Sequence, residues 1–165
     1  LSGGIMDKKK LSLFFFFLIL FIFAIQTTKI NIYKFDSSTD KAIVQKKISL
    51  LKILPTDKKL PILASKMSKE LFNGNKINLT QIKTENGKEI AYFNLEDTDK
   101  KSWYQYFQGS SGAQETLESI KLTLLQEGLK DNWVDGIKLT YNGEFTELDH
   151  ISFDNTPYLR KQVKN

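Results

Sequence analysis

Hydrophobic and polar positions divide the chain into an apolar run, a mixed polar stretch and a patterned remainder. Leu11 to Ile25, LSLFFFFLILFIFAI, is apolar at every position but Ser12 and follows Asp7-Lys8-Lys9-Lys10. As a helix it measures roughly 22 Å, short for a full span and suited to a signal-peptide core or a membrane anchor. The lysines before it place residues 1–10 in the cytoplasm and everything after Gln26 outside it. Met6 reads as the translational start. Ala24 and Ile22 make a poor cleavage site, so the expectation is an uncleaved anchor at 11–25, with secretion after cleavage as the alternative. Residues 26–46 are mixed and carry the cluster Asp36-Ser37-Ser38-Thr39-Asp40, which reads as a linker lifting the domain off the membrane.

From Lys47 onward the pattern predicts a folded domain over 47–156. Ile48, Leu50, Leu51, Ile53 and Leu54 read as a buried strand ended by Pro55, with Thr56–Lys59 a loop. Leu60, Leu63, Ala64, Met67 and Leu71 form a helical stripe, with Pro61 in the first turn and Asn73-Gly74 closing it. Ile77, Leu79 and Gln81 alternate with Asn78 and Thr80 as a second strand. Asn86-Gly87 is a hairpin signal, and Ile90 to Leu95 a third strand. Ser111 and Gln114 form a capping box for a helix whose stripe is Ala113, Leu117, Ile120 and Leu124, with Gly128 as its stop. Gln114, Glu115, Glu118 and Lys121 lie off that stripe and face water. Ile137, Leu139 and Tyr141 alternate as a fourth strand. Asn142-Gly143 then turns into a short segment around Phe145, and 157–165 is a frayed basic tail. The order predicts a two-layer α+β domain: about four strands in a mixed sheet, two helices on one face, all after an N-terminal hydrophobic helix.

Composition adjusts this picture only slightly. The 165 residues are 41% hydrophobic and 26% charged, with no cysteine, which rules out disulfides, thiolate metal sites, a thiol nucleophile and a lipobox cysteine. The net charge of +5 comes from scattered lysines with a single arginine, Arg160. No basic face with stacking aromatics stands out, so nucleic acid is not expected as a partner.

Candidate chemistry is sparse. His150 lies beside Asp149 and near Ser152, but neighbours on an extended chain point to opposite faces, so Asp149 is badly placed to orient it. Glu96, Asp97 and Asp99 cluster, as do Glu144, Glu147 and Asp149; neither spacing matches a calcium loop or a trusted carboxylate pair. Gly109-Ser110-Ser111-Gly112 precedes a helix but lacks the lysine of a phosphate loop. No catalytic residue, cofactor or metal is expected. Trp103, Tyr104, Tyr106 and Phe107 make an aromatic knot that reads either as an interface anchor or as a loop tucked over a sheet edge. With Glu115 and Glu118 on the neighbouring helix, they are the candidate partner-binding residues.

Three stretches in this order resemble the GerMN domain, a module named after a sporulation and germination protein of spore-forming bacteria. Ile90 to Leu95 resembles its apolar-polar strand, Gly109 to Leu125 its "G-S…T-L" helix with Thr123-Leu124 at the last pair, and Ile137 to Gly143 its strand ending in a glycine turn. The resemblance covers roughly Lys47 to Phe153. The chain departs from the family in lacking the lipoprotein cysteine, and the Trp103 loop is individual. The resemblance implies a small non-catalytic α+β domain, similar to ring-building motifs, that assembles proteins in the cell envelope. The expected function is therefore that of a membrane-anchored assembly or binding module in sporulation or germination. Its partner would be an envelope or sporulation-complex protein, its membrane contact the N-terminal segment, and oligomers are compatible with it. The alternatives are a general exported peptidoglycan- or glycan-binding module and a hydrolase using the Glu96 or Glu147 carboxylates.

Overall fold

The computed structural model describes residues 7–24, 26–97, 102–129 and 132–161. Met6, Asp99, Lys100, Lys101 and the last four residues of the tail lie outside the described residues. The chain is a mixed α+β protein with three helices and a four-stranded mixed sheet. Helix α1, Lys8–Ala24, shows Leu11 and Leu13 to Ile19 exposed. Among the described residues no helix is long and apolar enough to cross a membrane.

The stretch expected to be a linker is instead a β-hairpin. Strand β1, Thr27–Asp36, pairs antiparallel with β2, Lys41–Leu51. The Asp36–Asp40 cluster is its turn: the Asp36 carboxylate accepts from Ser38 N–H (3.0 Å), Ser38 Oγ (2.6 Å) and Thr39 Oγ1 (2.8 Å). The Ser38 hydroxyl leads in holding that carboxyl below its usual range. Thr28, Ile30 and Ile32 alternate into the interior opposite Ile48 and Leu50. The register shifts between Ile32 and Tyr33, and beyond it Phe35 is the buried residue. The expected strand at 48–54 is thus the second half of β2, and Lys52–Leu54 turns into the next helix.

Helix α2, Thr56–Leu71, starts four residues earlier than Leu60, with Pro55 as its N-cap (φ −69°, ψ 162°). The expected loop at Thr56–Lys59 is its first turn, and Pro61 lies inside the helix on the exposed side, where its ring costs one backbone bond. Leu60, Leu63, Ala64 and Met67 are fully buried. Strands β3, Lys76–Glu85, and β4, Lys88–Glu96, form the expected hairpin about Asn86-Gly87, both at positive φ (50° and 77°). A 3-10 turn, Tyr104–Phe107, leads into helix α3, Ser110–Leu125. Strand β5, Gly136–Tyr141, then returns parallel to β4.

The fourth sheet member is not the expected first strand but β8, Tyr158–Leu159, against β5. Between β5 and β8, β6 (Glu147–Leu148) and β7 (Ile151–Ser152) form a small hairpin. The expected frayed tail is therefore pinned over its first part. Arg160 N–H donates to the Asp135 carbonyl, and its guanidinium donates to the carbonyls of Gln126 (3.1 Å) and Leu129 past the C-terminus of α3. Cationic charge is favourable at that end of a helix. Gly136 is required here, since a Cβ would lie 2.8 Å from Ile90 Cδ1 and 3.0 Å from the Tyr158 carbonyl.

Helix α3 starts and stops differently from the expected capping box. Its N-cap is Gly109 (φ 70°); Ser110 is already helical, so Ser111 lies too far in to cap. It ends at Gln126, left-handed at φ 47°, two residues before Gly128. The apolar stripe Ala113, Ile120, Leu124 and Leu125 is buried with the sheet's Ala91, Phe93, Leu95, Ile137 and Leu139, the α2 stripe and the hairpin's isoleucines in one core.

The other side of α3 completes the hairpin. β1 has β2 on one edge only, and α3 satisfies the opposite edge with side chains. Ser37 N–H and Oγ donate to Glu115 (3.2 and 2.7 Å), Phe35 N–H to Ser119 Oγ (2.8 Å), and Tyr33 N–H to Thr123 Oγ1 (2.9 Å). Asn31 N–H donates to Gln126 Oε1 (3.1 Å), while Gln126 Nε2 donates back to the Asn31 carbonyl (2.6 Å). Four helical residues rise about 6.0 Å and two strand residues about 6.7 Å, so the two repeats nearly match. Short hydroxyl side chains serve the middle of the row. Longer Glu115 and Gln126 serve its ends, where the spacing has drifted.

Ser119→Ala leaves the buried Phe35 N–H without an acceptor and should cost about 1 to 3 kcal/mol. Urea unfolding measures that loss, and amide hydrogen exchange should show Phe35 and Tyr33 opening faster than the sheet amides of Phe93 and Leu139. Unchanged Phe35 protection would mean that the ladder does not hold the strand.

Candidate functional site

The hairpin, the C-terminal turn of α2, the 3-10 turn and α3 enclose a cleft of about 330 Å3. Its apolar lining is Phe35, Leu71, Phe72 and Tyr106; its polar lining includes Lys34, Gln45, Glu70 and Glu115. That volume and mixture suit a small ligand or a partner's side chain. Each carboxylate is held by the protein itself: Glu115 accepts from Ser37, and Glu70 pairs with Lys46 Nζ at 2.6 Å. The floor is fixed by Thr116 Oγ1, which donates to the Tyr106 carbonyl (2.7 Å).

The six candidate binding residues divide between four environments. Tyr106 and Glu115 meet in this cleft. Trp103 and Phe107 are core residues, 0% and 2% exposed, packed with Phe72, Tyr106 and Phe153. Trp103 Nε1 donates to the Lys76 carbonyl (3.2 Å) and its ring stacks on Phe107, so neither ring presents a surface in the described chain. Tyr104 remains on the surface, 38% exposed, with its hydroxyl donating to Asp149 (2.8 Å). Glu118 faces elsewhere: it pairs with Lys121 (2.5 Å) in a second cleft against Pro157, Tyr158 and Leu159. Lys121 also lies over the Tyr158 ring at 5.0 Å.

The remaining chemistry candidates are either exposed or engaged by structural partners. His150 and Ser152 are exposed around the β6–β7 turn, and Asp149 is engaged with Tyr104. Glu96 accepts from Lys76 and Asn78, while Glu144 and Glu147 are exposed. Among the described residues no cluster of His, Asp and Glu is arranged to hold a metal ion. Lys138, 4% exposed, donates to Glu85 (2.7 Å), Tyr92 Oη (3.2 Å) and Asn155 Oδ1 (2.9 Å), which uses all three of its N–H groups. Burial opposes its charge, and the Glu85 and Tyr92 bonds outweigh it, keeping the ammonium above its ordinary range.

Asp97 is the residue whose role the sequence concealed. It is 4% exposed and accepts from Ser102 N–H (3.1 Å), Ser102 Oγ (2.8 Å), Trp103 N–H (3.1 Å) and Tyr141 Oη (2.7 Å). Burial raises its carboxyl, but the bonds from Tyr141, Ser102 and the Trp103 backbone prevail and bring it down to about 2. The same burial and the Asp97 charge push the Tyr141 phenol up to about 12. Asp97 thereby sets the entry of the aromatic knot into the core.

Because the folded carboxyl lies below its ordinary value of 3.8, its stabilisation is complete above about pH 5 and is lost as pH falls toward 2. That stabilisation is about 2 kcal/mol. Asp97→Asn should destabilise the domain by about 3 kcal/mol at pH 7, because an amide N–H₂ faces donors. The difference from wild type should narrow at pH 2.5, as urea unfolding at both pH values would measure. A difference independent of pH would mean that the carboxylate is not the acceptor.

Comparison with known proteins finds no matching protein family, no matching curated protein and no matching solved structure.

Proposed function

We propose that the chain is a non-catalytic assembly module attached to a cell membrane by α1 and acting in the envelope of a spore-forming bacterium during sporulation or germination. In this reading α2 and α3 cover one face of the sheet, as the order of elements and their apolar stripes imply, the domain is the small non-catalytic α+β module of the GerMN resemblance, and the N-terminal apolar helix precedes it. The protein works by contact, with no bond broken. One observation supports this reading above the others: the outer edge of β2 is open. Asn31, Tyr33 and Phe35 turn their N–H groups to α3, so alternation aims their neighbours at β2. Carried across the register, that leaves Ala42, Val44, Lys47 and Ser49 with backbone groups facing outward, and among the described residues nothing pairs with them.

An open edge of an 11-residue strand is a template for strand addition. β2 carries Lys41, Lys46 and Lys47 and no carboxylate. Copies of this edge repel one another, whereas an extended acidic segment of an envelope or sporulation-complex protein is attracted. Ile43 and Val44, 48% and 42% exposed, supply apolar contact beside it. Tyr106 and Glu115 lie in the cleft walled by the same hairpin. The glycan-binding alternative has less support, because a stacking platform needs exposed rings and two of the four aromatics are buried. A hydrolase using the Glu96 or Glu147 carboxylates has less still, because Glu96 is held by Lys76 and Asn78 and Glu147 lies exposed in the β6–β7 hairpin.

Deleting the gene in the source organism should lower spore yield or germination, scored separately, and a wild-type copy should restore it. A Val44→Pro copy should not, although it folds, because the lost N–H faces solvent on an edge strand. Circular dichroism checks the fold. A deletion without either defect removes the sporulation reading; full rescue by Val44→Pro removes the β2 edge.

A further inference from the structure

The end of the domain nearest α1 has its own surface. Only residues 25 and 26 separate α1 from β1, so Ala24 and Thr27 are at most about 10 Å apart. Gln26 is fastened to the domain, since its carbonyl accepts from Lys52 N–H at 2.6 Å, and Thr27 pairs with Leu51. The β2–α2 turn, residues 51–55, therefore lies beside the point where α1 leaves. It holds the most exposed large apolar side chain among the described residues, Ile53 at 69%, next to Leu51 at 42%. Lys52 and Lys29 are exposed at the same end, with Lys29 opposite Ser49. The adjoining cleft of about 440 Å3 is lined by Lys52, Lys59, Thr56 and Asn132.

Apolar length sharpens the consequence. Leu11–Ala24 gives about 21 Å of helix against about 30 Å of hydrocarbon. A short helix draws its flanks toward the bilayer. With a two-residue connection, the flank that follows is the domain itself.

We propose that this end of the domain is a membrane-contacting edge: Ile53 and Leu51 enter the lipid interface, and Lys29 and Lys52 meet the phosphates of anionic phospholipids. The proposal rests on the reading of α1 as the membrane attachment. The polar face of the interface accommodates lysines whose stems lie along apolar neighbours. Each lysine near an anionic surface contributes roughly a fivefold bias.

The chain has no cysteine, so a single one can be labelled alone. Full-length Phe16→Cys, Ile53→Cys and Ala42→Cys proteins carry an environment-sensitive dye and are reconstituted into phosphatidylcholine vesicles with and without phosphatidylglycerol. Ala42 lies nine residues along β2 from Leu51, about 30 Å away, and serves as the distal position. The expected result is blue-shifted, lipid-quenched emission at positions 16 and 53 and aqueous emission at 42. Lys29→Glu with Lys52→Glu should reduce the docked fraction at 53 severalfold in anionic vesicles. A membrane signal at 16 with an aqueous signal at 53 overturns the proposal and leaves the attachment reading intact. An aqueous signal at 16, with failure to float with vesicles, overturns both. Indifference of position 53 to phosphatidylglycerol and to both lysine reversals overturns the anionic-headgroup part.

Discussion

The structure depends on the second edge of β1. A strand has two rows of backbone donors and acceptors, and a row buried without partners is prohibitively costly. β2 satisfies one row. The other runs into the domain interior, where no strand is available, and α3 supplies side-chain acceptors instead. Glu115, Ser119, Thr123 and Gln126 stand in for a neighbouring strand. This explains why α3 buries Ser119, Thr123 and Gln126 beside its leucines. It also explains why Gln126 accepts a left-handed backbone: ending the helix there lets its amide pair with both backbone groups of Asn31. The hairpin, the cleft it walls and the open edge of β2 all follow from this row.

A second constraint acts on the opposite side of the core. The aromatic knot carries a tryptophan ring, its N–H and two backbone amides into the interior, each of which needs a partner. Asp97 takes the Trp103 and Ser102 amides, and the Lys76 carbonyl takes the indole. With Tyr141 also bound, one carboxylate couples β4, the loop and β5. Phe107 then packs on Phe153, which follows β7. Loop, sheet and C-terminal segment are thus joined through side chains whose individual types look ordinary.

Legibility in the sequence followed the nature of the signal. Periodic burial and turn chemistry read correctly at α2, β3, β4, α3 and β5, because Leu60-Leu63-Ala64-Met67 repeats at helical spacing and Asn-Gly permits two positive φ angles. The hairpin was missed because Asp36–Asp40 resembles a linker by composition, although Thr28-Ile30-Ile32 alternates like a strand. The acceptor row was also present, as Glu115, Ser119 and Thr123 at intervals of four. Such a stripe reads as solvated unless an unsatisfied strand edge is known to lie beside it. β8 was missed for a different reason: two residues carry no period, and only the Gly136 gap and the Arg160 contacts define their place. At the candidate site, the sequence singles out Tyr106 and Glu115 but holds no signal that makes them neighbours, and Glu70, Gln45 and Phe35 join them only once the hairpin is in place.

Replacing a linker by a hairpin changes what an attached domain can do. A flexible tether of twenty residues samples a distance of roughly 25 Å and any orientation. In the proposed attachment by α1 only two residues intervene, and one of them, Gln26, is bonded to Lys52. In that proposal β1 runs away from the attachment point at its base. Its tip and the open edge of β2 lie up to about 33 Å away along the hairpin. The end carrying Ile53 lies at the base of the hairpin, where the chain leaves α1, and the edge open to strand addition extends along β2 from there. In the proposed function, strand addition and membrane attachment fall at different places along one two-stranded ribbon, which the α3 row fastens to the domain.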